Sequence, residues 1–157
     1  MEKYYQAMLN FVHHRAWLKK SIMFITKYFP YITFCLYPCI LVYLYMTESS
    51  LLLETIIKPL AAFATVTVFR KVINRSRPYE AMDIVPLKQH KVGESFPSRH
   101  AVSAMIIALV CFNVNIYLGL FALGVAIIMS LCRVLAGVHY LSDVVASMII
   151  ALIIYLI

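Results

Sequence analysis

Long apolar runs, separated by short polar breaks, are the feature that most restricts the fold of this chain. A helix of about 20 apolar residues crosses the core of a bilayer, and runs of roughly that length recur along the sequence. Hydrophobic residues make up 63% of the 157 positions and charged residues only 13%, which is more apolar surface than a soluble domain of this size can bury. We therefore predict an all-α integral membrane protein, with one domain over residues 1–157.

The positions of the runs predict five transmembrane helices. The predicted spans cover about residues 24–46, 51–69, 98–112, 118–136 and 141–157. Polar turns at 47–50 and 113–115 separate neighbouring spans. Pro30 and Pro38 lie inside the first span, where a membrane helix tolerates them because its neighbours satisfy the freed backbone groups. The sequence thus predicts a bundle of about five helices.

The N-terminal residues 1–20 have a different character. Aromatic and aliphatic residues are mixed there with basic residues. A signal peptide would require an apolar core followed by a small-residue cleavage site, and this segment has neither. This mixture is typical of an amphipathic helix that lies in the headgroup layer. We predict such an interfacial helix over residues 1–20.

The charge pattern indicates which partners the chain prefers. The formal net charge is +7, and the basic residues lie between apolar spans. Anionic lipid headgroups or a phosphorylated substrate therefore fit better than nucleic acid. The four cysteines stand within apolar runs without metal-ligand spacing, which favours buried small hydrophobic residues over ligands. We expect no metal and no cofactor, and the sequence leaves the oligomeric state open.

A polar stretch over residues 70–99 is the candidate active-site loop. It begins with Arg70 and Arg77, where the second span leaves the membrane. Guanidinium groups present a planar fork of donors that matches phosphate oxygens. An ordinary basic cluster at a membrane boundary would explain this segment equally well by itself.

A second segment, Pro97-Ser98-Arg99-His100, opens the third predicted span. Proline followed by serine is typical of a helix start with a serine N-cap. The free backbone N–H groups of a helix start attract an anion, to which Ser98 and Arg99 would add donors, while His100 could transfer a proton. A capped helix with a surface histidine is the alternative, and it is the simpler one for this segment alone.

A third segment joins the last two spans and contains Arg133, His139 and Asp143. His139 and Asp143 are four positions apart, so they are neighbours if a helix begins there. A carboxylate on one ring nitrogen fixes the tautomer and leaves the other nitrogen as a nucleophile. The alternative is a structural ion pair between Arg133 and Asp143. Ionisable residues in apolar surroundings nevertheless favour a functional role.

Together the three segments resemble the tripartite signature of the type-2 phosphatidic acid phosphatase (PAP2) superfamily, which reads Lys-x6-Arg-Pro, Pro-Ser-Gly-His and Ser-Arg-x5-His-x3-Asp. The spacing agrees in all three segments, from Arg70 to Asp143. Three residues depart from the signature: Arg70 replaces lysine, Arg99 replaces glycine and Cys132 replaces serine. Arg99 places an additional cation near the pocket, which favours a strongly anionic headgroup such as a pyrophosphate.

The resemblance implies a metal-independent phosphatase that acts through a phosphohistidine. His139 would be the nucleophile, His100 the proton donor and Asp143 the residue that orients His139. Phosphate oxygens would be bound by Arg70, Arg77, Ser98, Arg99 and Arg133. Charge stabilisation and positioning do most of the work in phosphoryl transfer.

The substrate is predicted to be a lipid phosphate. The size, the N-terminal segment and residues 21–28 resemble small bacterial undecaprenyl pyrophosphate phosphatases, so undecaprenyl pyrophosphate is the preferred candidate. Phosphatidylglycerol phosphate, phosphatidate and diacylglycerol pyrophosphate are the alternatives. A lipid phosphotransferase and a non-enzymatic transport component are alternatives of other classes. Vanadium haloperoxidases share these motifs, but those enzymes resemble soluble helical proteins, and this chain does not.

The orientation in the membrane is the point on which two arguments disagree. Nearly all basic residues belong to the side of the N-terminus and the 70–99 loop, so the positive-inside rule puts that side in the cytoplasm. Several of these arginines are explained by phosphate binding, however, and the resemblance implies an outward-facing site. We predict a bacterial cell-membrane protein with its site facing outward.

Overall fold

The chain is a bundle of helices in a computed structural model that describes residues 2–89 and 92–157. Seven helices occur within these residues: α1 (Glu2–His13), α2 (Ala16–Met46), α3 (Leu51–Ile73), α4 (Pro78–Ala81), α5 (Arg99–Val114), α6 (Ile116–Leu135) and α7 (Leu141–Leu156). The described residues contain no strand. The all-α prediction is confirmed, and each predicted span corresponds to one helix.

Helices α2, α3 and α6 are long and apolar enough to cross a membrane. Their outer faces carry exposed apolar side chains, such as Phe34 at 72% and Leu60 at 64% exposure, as expected for helices in contact with lipid. Helices α5 and α7 are apolar but have only 16 residues each, which corresponds to about 24 Å against a hydrocarbon core of about 30 Å. Both helices are short because the polar segments before them, residues 82–89 and 92–98 for α5 and residues 136–140 for α7, are not helical.

Helix α5 lies at the centre of the bundle, in contact with α2, α3, α6 and α7. Small residues on α5, including Ala101, Ala104 and Ala108, are fully buried. Small side chains let neighbouring helices approach closely, which is the usual basis of helix association in membranes. This packing fixes the start of α5, where the second candidate segment lies.

The N-terminal segment differs from the predicted interfacial helix over residues 1–20. Helix α1 ends at His13, and residues 16–20 already belong to α2. Leu9 and Val12 are buried, while His13 Nε2 lies 3.0 Å from the carbonyl oxygen of Val85. The difference has a physical cause, since α1 packs against the loop that follows α4 and cannot continue straight into α2. Its position in the headgroup layer stays a prediction.

The three candidate segments meet at one end of the bundle. Arg77 Nη1 donates to the carbonyl oxygen of Val138 over 3.2 Å, which joins the first segment to the third. The Ser98 N–H donates to Ser147 Oγ over 2.8 Å and joins the second segment to α7. These bonds hold the end of α3, the start of α5 and the α6–α7 connection together.

Candidate active site

A cavity of about 170 Å³ opens where the three segments meet. It is lined by Arg70, Arg77, Val92, Gly93, Glu94, Arg99, His100, Arg133 and His139. Six of the eight predicted site residues therefore line one cavity. The other two, Ser98 and Asp143, are 0% exposed and are not among the lining residues.

Arg70 and Arg77 are fixed by backbone carbonyl groups. Arg70 is 5% exposed, and its Nη1 donates to the carbonyl oxygen of Pro97 over 3.0 Å. Arg77 is 6% exposed, and its Nε donates to the carbonyl oxygen of Gly93 over 3.2 Å. Carbonyl groups orient these side chains without neutralising them, so the cavity keeps a positive charge.

Arg133 has no such support. It is 5% exposed, its Nε is buried without a hydrogen-bond partner, and it forms no ion pair with a carboxylate in the described part of the chain. Burying a charge without a partner is costly. Among the described residues, Arg133 is therefore a buried cation without a carboxylate partner.

The carboxylate of Glu94 is the one acidic group among the residues that line this cavity. Its Oε2 lies 3.5 Å from Arg70 Nη2. Among the described residues, one carboxylate and four arginines line the cavity, so its net charge is positive.

His139 faces the cavity in a nearly dry environment. It is 3% exposed, and its Nδ1 lies 3.5 Å from Asp143 Oδ2. That distance is long for a hydrogen bond, and Nδ1 has no other partner. Burial lowers the pKa of His139, although the nearby Asp143 carboxylate acts in the opposite direction. The imidazole is thus held neutral at pH 7, with Nε2 as the ring nitrogen that remains available.

Asp143 is the best-connected side chain of the site. Its Oδ2 accepts hydrogen bonds from Ser95 Oγ at 2.6 Å and from the Tyr140 N–H at 2.9 Å. Its Oδ1 accepts from Arg75 Nη1, also at 2.9 Å. The ion pair between Arg133 and Asp143 that the sequence allowed does not form, because Arg75 occupies that role. The carboxylate is therefore fixed from three sides.

Arg75 and Ser95 were not predicted as site residues. Arg75 lies within the first segment, between the two arginines of the motif, so its position was a usable signal. No pattern in the sequence indicates Ser95, because its contact with Asp143 joins residues 48 positions apart.

The active-site loop contains a short helix that the sequence did not predict. Helix α4 begins at Pro78, and the Glu80 carboxylate accepts from the backbone N–H groups of Arg77 at 3.2 Å and of Gly93 at 2.9 Å. Gly93 has a φ of +70°, and a Cβ at this position would lie 2.7 Å from Asn74 Oδ1. Glycine is therefore required where the loop returns to the cavity. Lys91, also in this loop, lies outside the described residues.

Ser98 stands at the N-cap position of α5, as predicted, but its hydroxyl makes no capping bond. The Ser98 Oγ is buried and has no partner, while its backbone N–H is bound by Ser147 Oγ. The hydroxyl is thus a buried donor at the start of α5, without a hydrogen-bond partner among the described residues.

Comparisons with known proteins show the family and the fold of this chain. A family model described as the PAP2 superfamily matches residues 41–157. The crystal structure of LpxE from Aquifex aeolicus superposes with a TM-score of 0.77 at 21% identity, covering 98% of this chain and 91% of that one. The crystal structure of the first transmembrane PAP2 type phosphatidylglycerolphosphate phosphatase from Bacillus subtilis superposes with a TM-score of 0.70 at 20% identity. The match covers 98% of this chain and 82% of that one. At these identities the two structures show a shared fold. A comparison with curated protein sequences gives no significant match.

The lone charge of Arg133 leads to a prediction about stability. Replacing Arg133 by Met removes a buried charge at similar volume, and the corresponding replacement of a buried ion pair stabilises a protein by about 1–4 kcal/mol in favourable cases. We expect the apparent unfolding temperature of Arg133→Met in detergent to rise by about 2–16 °C. Inorganic phosphate should stabilise the wild-type protein and have little effect on the variant.

Arg15→Met is the matched control, because the Arg15 side chain lies over the Phe11 ring, away from the cavity. It should leave the response to phosphate intact. A lower unfolding temperature for Arg133→Met, combined with an undiminished response to phosphate, would show that this arginine is structural.

Proposed function

Because the chain belongs to the PAP2 superfamily, a family of membrane lipid phosphatases, we propose that it removes phosphate from a lipid through a phosphohistidine, with undecaprenyl pyrophosphate as the preferred substrate. The observation that carries this proposal is the arrangement of Arg70, Arg77 and Arg133, all buried around one cavity with His139. Buried guanidinium groups without sufficient counter-charge suit a tightly bound polyanion. Phosphate is such an anion.

In the proposed reaction the neutral His139 attacks phosphorus through Nε2. The bond between phosphorus and the leaving oxygen breaks, and His100 gives that oxygen its proton. Asp143 stabilises the positive charge that the imidazole ring acquires. His100 then takes a proton from water, the water oxygen attacks the phosphohistidine, and phosphate leaves with His139 restored.

The cationic residues act on the charge of the phosphoryl group. Arg70, Arg77 and Arg133 would bind its three equatorial oxygens, with the Ser98 hydroxyl and the backbone N–H of Arg99 as further donors. Donors fixed in advance stabilise the transition state without reorganisation. These groups supply the charge stabilisation themselves, so the proposed reaction requires no metal and no cofactor.

The surroundings of His100 favour a lipid substrate. His100 also lines a cavity of about 200 Å³ with Phe34 and Phe63. Both phenylalanines also line an apolar groove of about 390 Å³, which reaches Tyr37 on α2 and Leu60 on α3. The leaving oxygen would be near His100, so an attached hydrocarbon tail could follow this path into the bilayer.

A pyrophosphate is preferred because Arg99 adds charge next to His100. The leaving group of a lipid pyrophosphate is itself a phosphate, and an additional cation favours its departure. Phosphatidylglycerol phosphate, phosphatidate and diacylglycerol pyrophosphate remain the alternative substrates. Transfer of the phosphoryl group to an acceptor other than water is the alternative reaction.

The purified protein should release phosphate from undecaprenyl pyrophosphate faster than from the three alternative lipids. His139→Ala should lower this activity by at least about 10³-fold, because the nucleophile is lost. Rapid quenching with radiolabelled substrate should trap an acid-labile phosphoryl group on the wild-type protein and none on the variant.

His14→Ala is the control, because His14 is exposed just after α1 and its ring bonds only to the carbonyl oxygen of Asn10 among the described residues. It should keep full activity. Near-normal phosphate release by His139→Ala would refute the mechanism, and preference for phosphatidylglycerol phosphate would refute the choice of substrate.

Arg75 is expected to act as a positioning residue through Asp143. Arg75→Ala removes a charged hydrogen bond to a buried carboxylate, which is worth about 1.5–3 kcal/mol, so kcat should fall about 10- to 100-fold. KM should change much less, because Arg75 does not line the cavity.

Arg75→Lys should restore part of kcat, since it keeps the charge. Lys71→Ala, an exposed substitution in the last turn of α3, should have no effect. An equal change of kcat for Arg75→Ala and Lys71→Ala would contradict the proposed role.

We also propose that the protein lies in a bacterial cell membrane with the site facing outward, as the preferred substrate requires. A cysteine introduced at Val85, which is 71% exposed in the loop after α4, should react with an impermeant thiol reagent on intact cells. The unmodified chain gives the background from the exposed Cys35 and Cys39. Labelling that appears only after lysis would reverse the orientation.

A further inference from the structure

A second groove leaves the phosphate cavity along α2. Its volume is about 700 Å³, and it shares His100 and Arg133 with the phosphate cavity. One side is the face of α2 from Met23 to Phe34, and the other comprises Leu87, Lys88, Ala136 and Val138. The groove is therefore a direct extension of the proposed site, and it shares Phe34 with the apolar path between α2 and α3.

Two lysines make this groove cationic. Lys27 lies on α2, with its Nζ 4.8 Å from the centre of the Tyr28 ring. Lys88 lies opposite, on a segment held in place because the Leu87 N–H donates to the carbonyl oxygen of Ala136 over 3.0 Å. Both lysines line the groove and are exposed, so a ligand in the groove would lie against both side chains.

The two charges are not neutralised by the protein. No aspartate or glutamate is among the residues that line the groove. Within residues 2–89 and 92–157, neither Lys27 nor Lys88 forms an ion pair. Arg133 adds a third positive charge where the groove meets the cavity. This arrangement suits an anionic group of the ligand.

The direction of the proposed reaction indicates which part of the substrate carries this anionic group. In phosphoryl transfer the attacking and leaving atoms are roughly in line with phosphorus, so attack by His139 Nε2 leaves the departing oxygen on the opposite side of phosphorus, where the proposed reaction has His100 as the proton donor. His100 lines both the cavity and the groove. A group that extends from the leaving oxygen would therefore meet Lys27 and Lys88.

We infer that Lys27 and Lys88 form a second anion-binding subsite, which holds a phosphate carried by the leaving group. This inference rests on the proposed lipid phosphatase function. It selects lipids that carry two phosphates, with the terminal one in the arginine cavity and the inner one between the lysines. A lipid with a single phosphate leaves the subsite empty.

Diacylglycerol pyrophosphate and phosphatidate are the matched pair for the test, because they differ by one phosphate. Initial rates of phosphate release in detergent give kcat/KM for each lipid. The wild-type protein should prefer diacylglycerol pyrophosphate. In Lys27→Gln/Lys88→Gln the ratio of the two kcat/KM values should fall at least about tenfold, and Lys27→Arg/Lys88→Arg should keep it within about threefold of wild type, since charged hydrogen bonds to phosphate are the strong ones.

Lys3→Gln/Lys20→Gln is the control, because it removes the same charge from lysines that do not line the groove. It should leave the ratio unchanged. A ratio unchanged in Lys27→Gln/Lys88→Gln, or lowered as much by the control, overturns the subsite but leaves the phosphatase function standing. Failure of the wild-type protein to release phosphate from either lipid overturns the proposed function, and the subsite with it.

Discussion

A cluster of buried positive charges is the constraint on which the rest of this structure depends. Arg70, Arg77 and Arg133 are each 5–6% exposed, and like charges at close range in a dry site repel one another strongly. Carbonyl oxygens of Pro97, Gly93 and Val138 bind two of these arginines, and the Nε of the third has no hydrogen-bond partner among the described residues. The fold thus holds three positive charges together at a cost in stability.

Asp143 provides the opposing charge, but it is directed away from the arginines of the cavity. Its oxygens are taken by Ser95, Arg75 and the Tyr140 N–H, so it can orient His139 without neutralising Arg133. Arg75, and not Arg133, is the ion-pair partner of Asp143, although Arg75 does not line the cavity.

Motif spacing predicted residues that meet at one cavity, but it did not predict the contacts that support them. Periodicity and apolar length place the helices, and motif spacing brings six predicted residues to one cavity, because these signals are local. The contacts of Ser95 with Asp143 and of Glu80 with Gly93 depend on how the 70–99 loop folds, and no local pattern encodes them. The same limit explains the N-terminal helix, whose end at His13 depends on packing against Val85.

Helix α1 connects the site to the membrane surface. The Leu141 N–H donates to Tyr5 Oη over 3.2 Å, and the Tyr5 ring packs edge-on against Tyr140, with 6.0 Å between ring centres. The Tyr140 N–H in turn donates to Asp143 Oδ2, and the centre of the Tyr140 ring lies 3.9 Å from the guanidinium carbon of Arg75. Any force that moves α1 relative to the bundle therefore acts on the first turn of α7, where Asp143 Oδ2 lies 3.5 Å from His139 Nδ1. If α1 lies in the headgroup layer, as its composition predicts, the bilayer itself helps to hold the proposed nucleophile at the depth of the lipid phosphate.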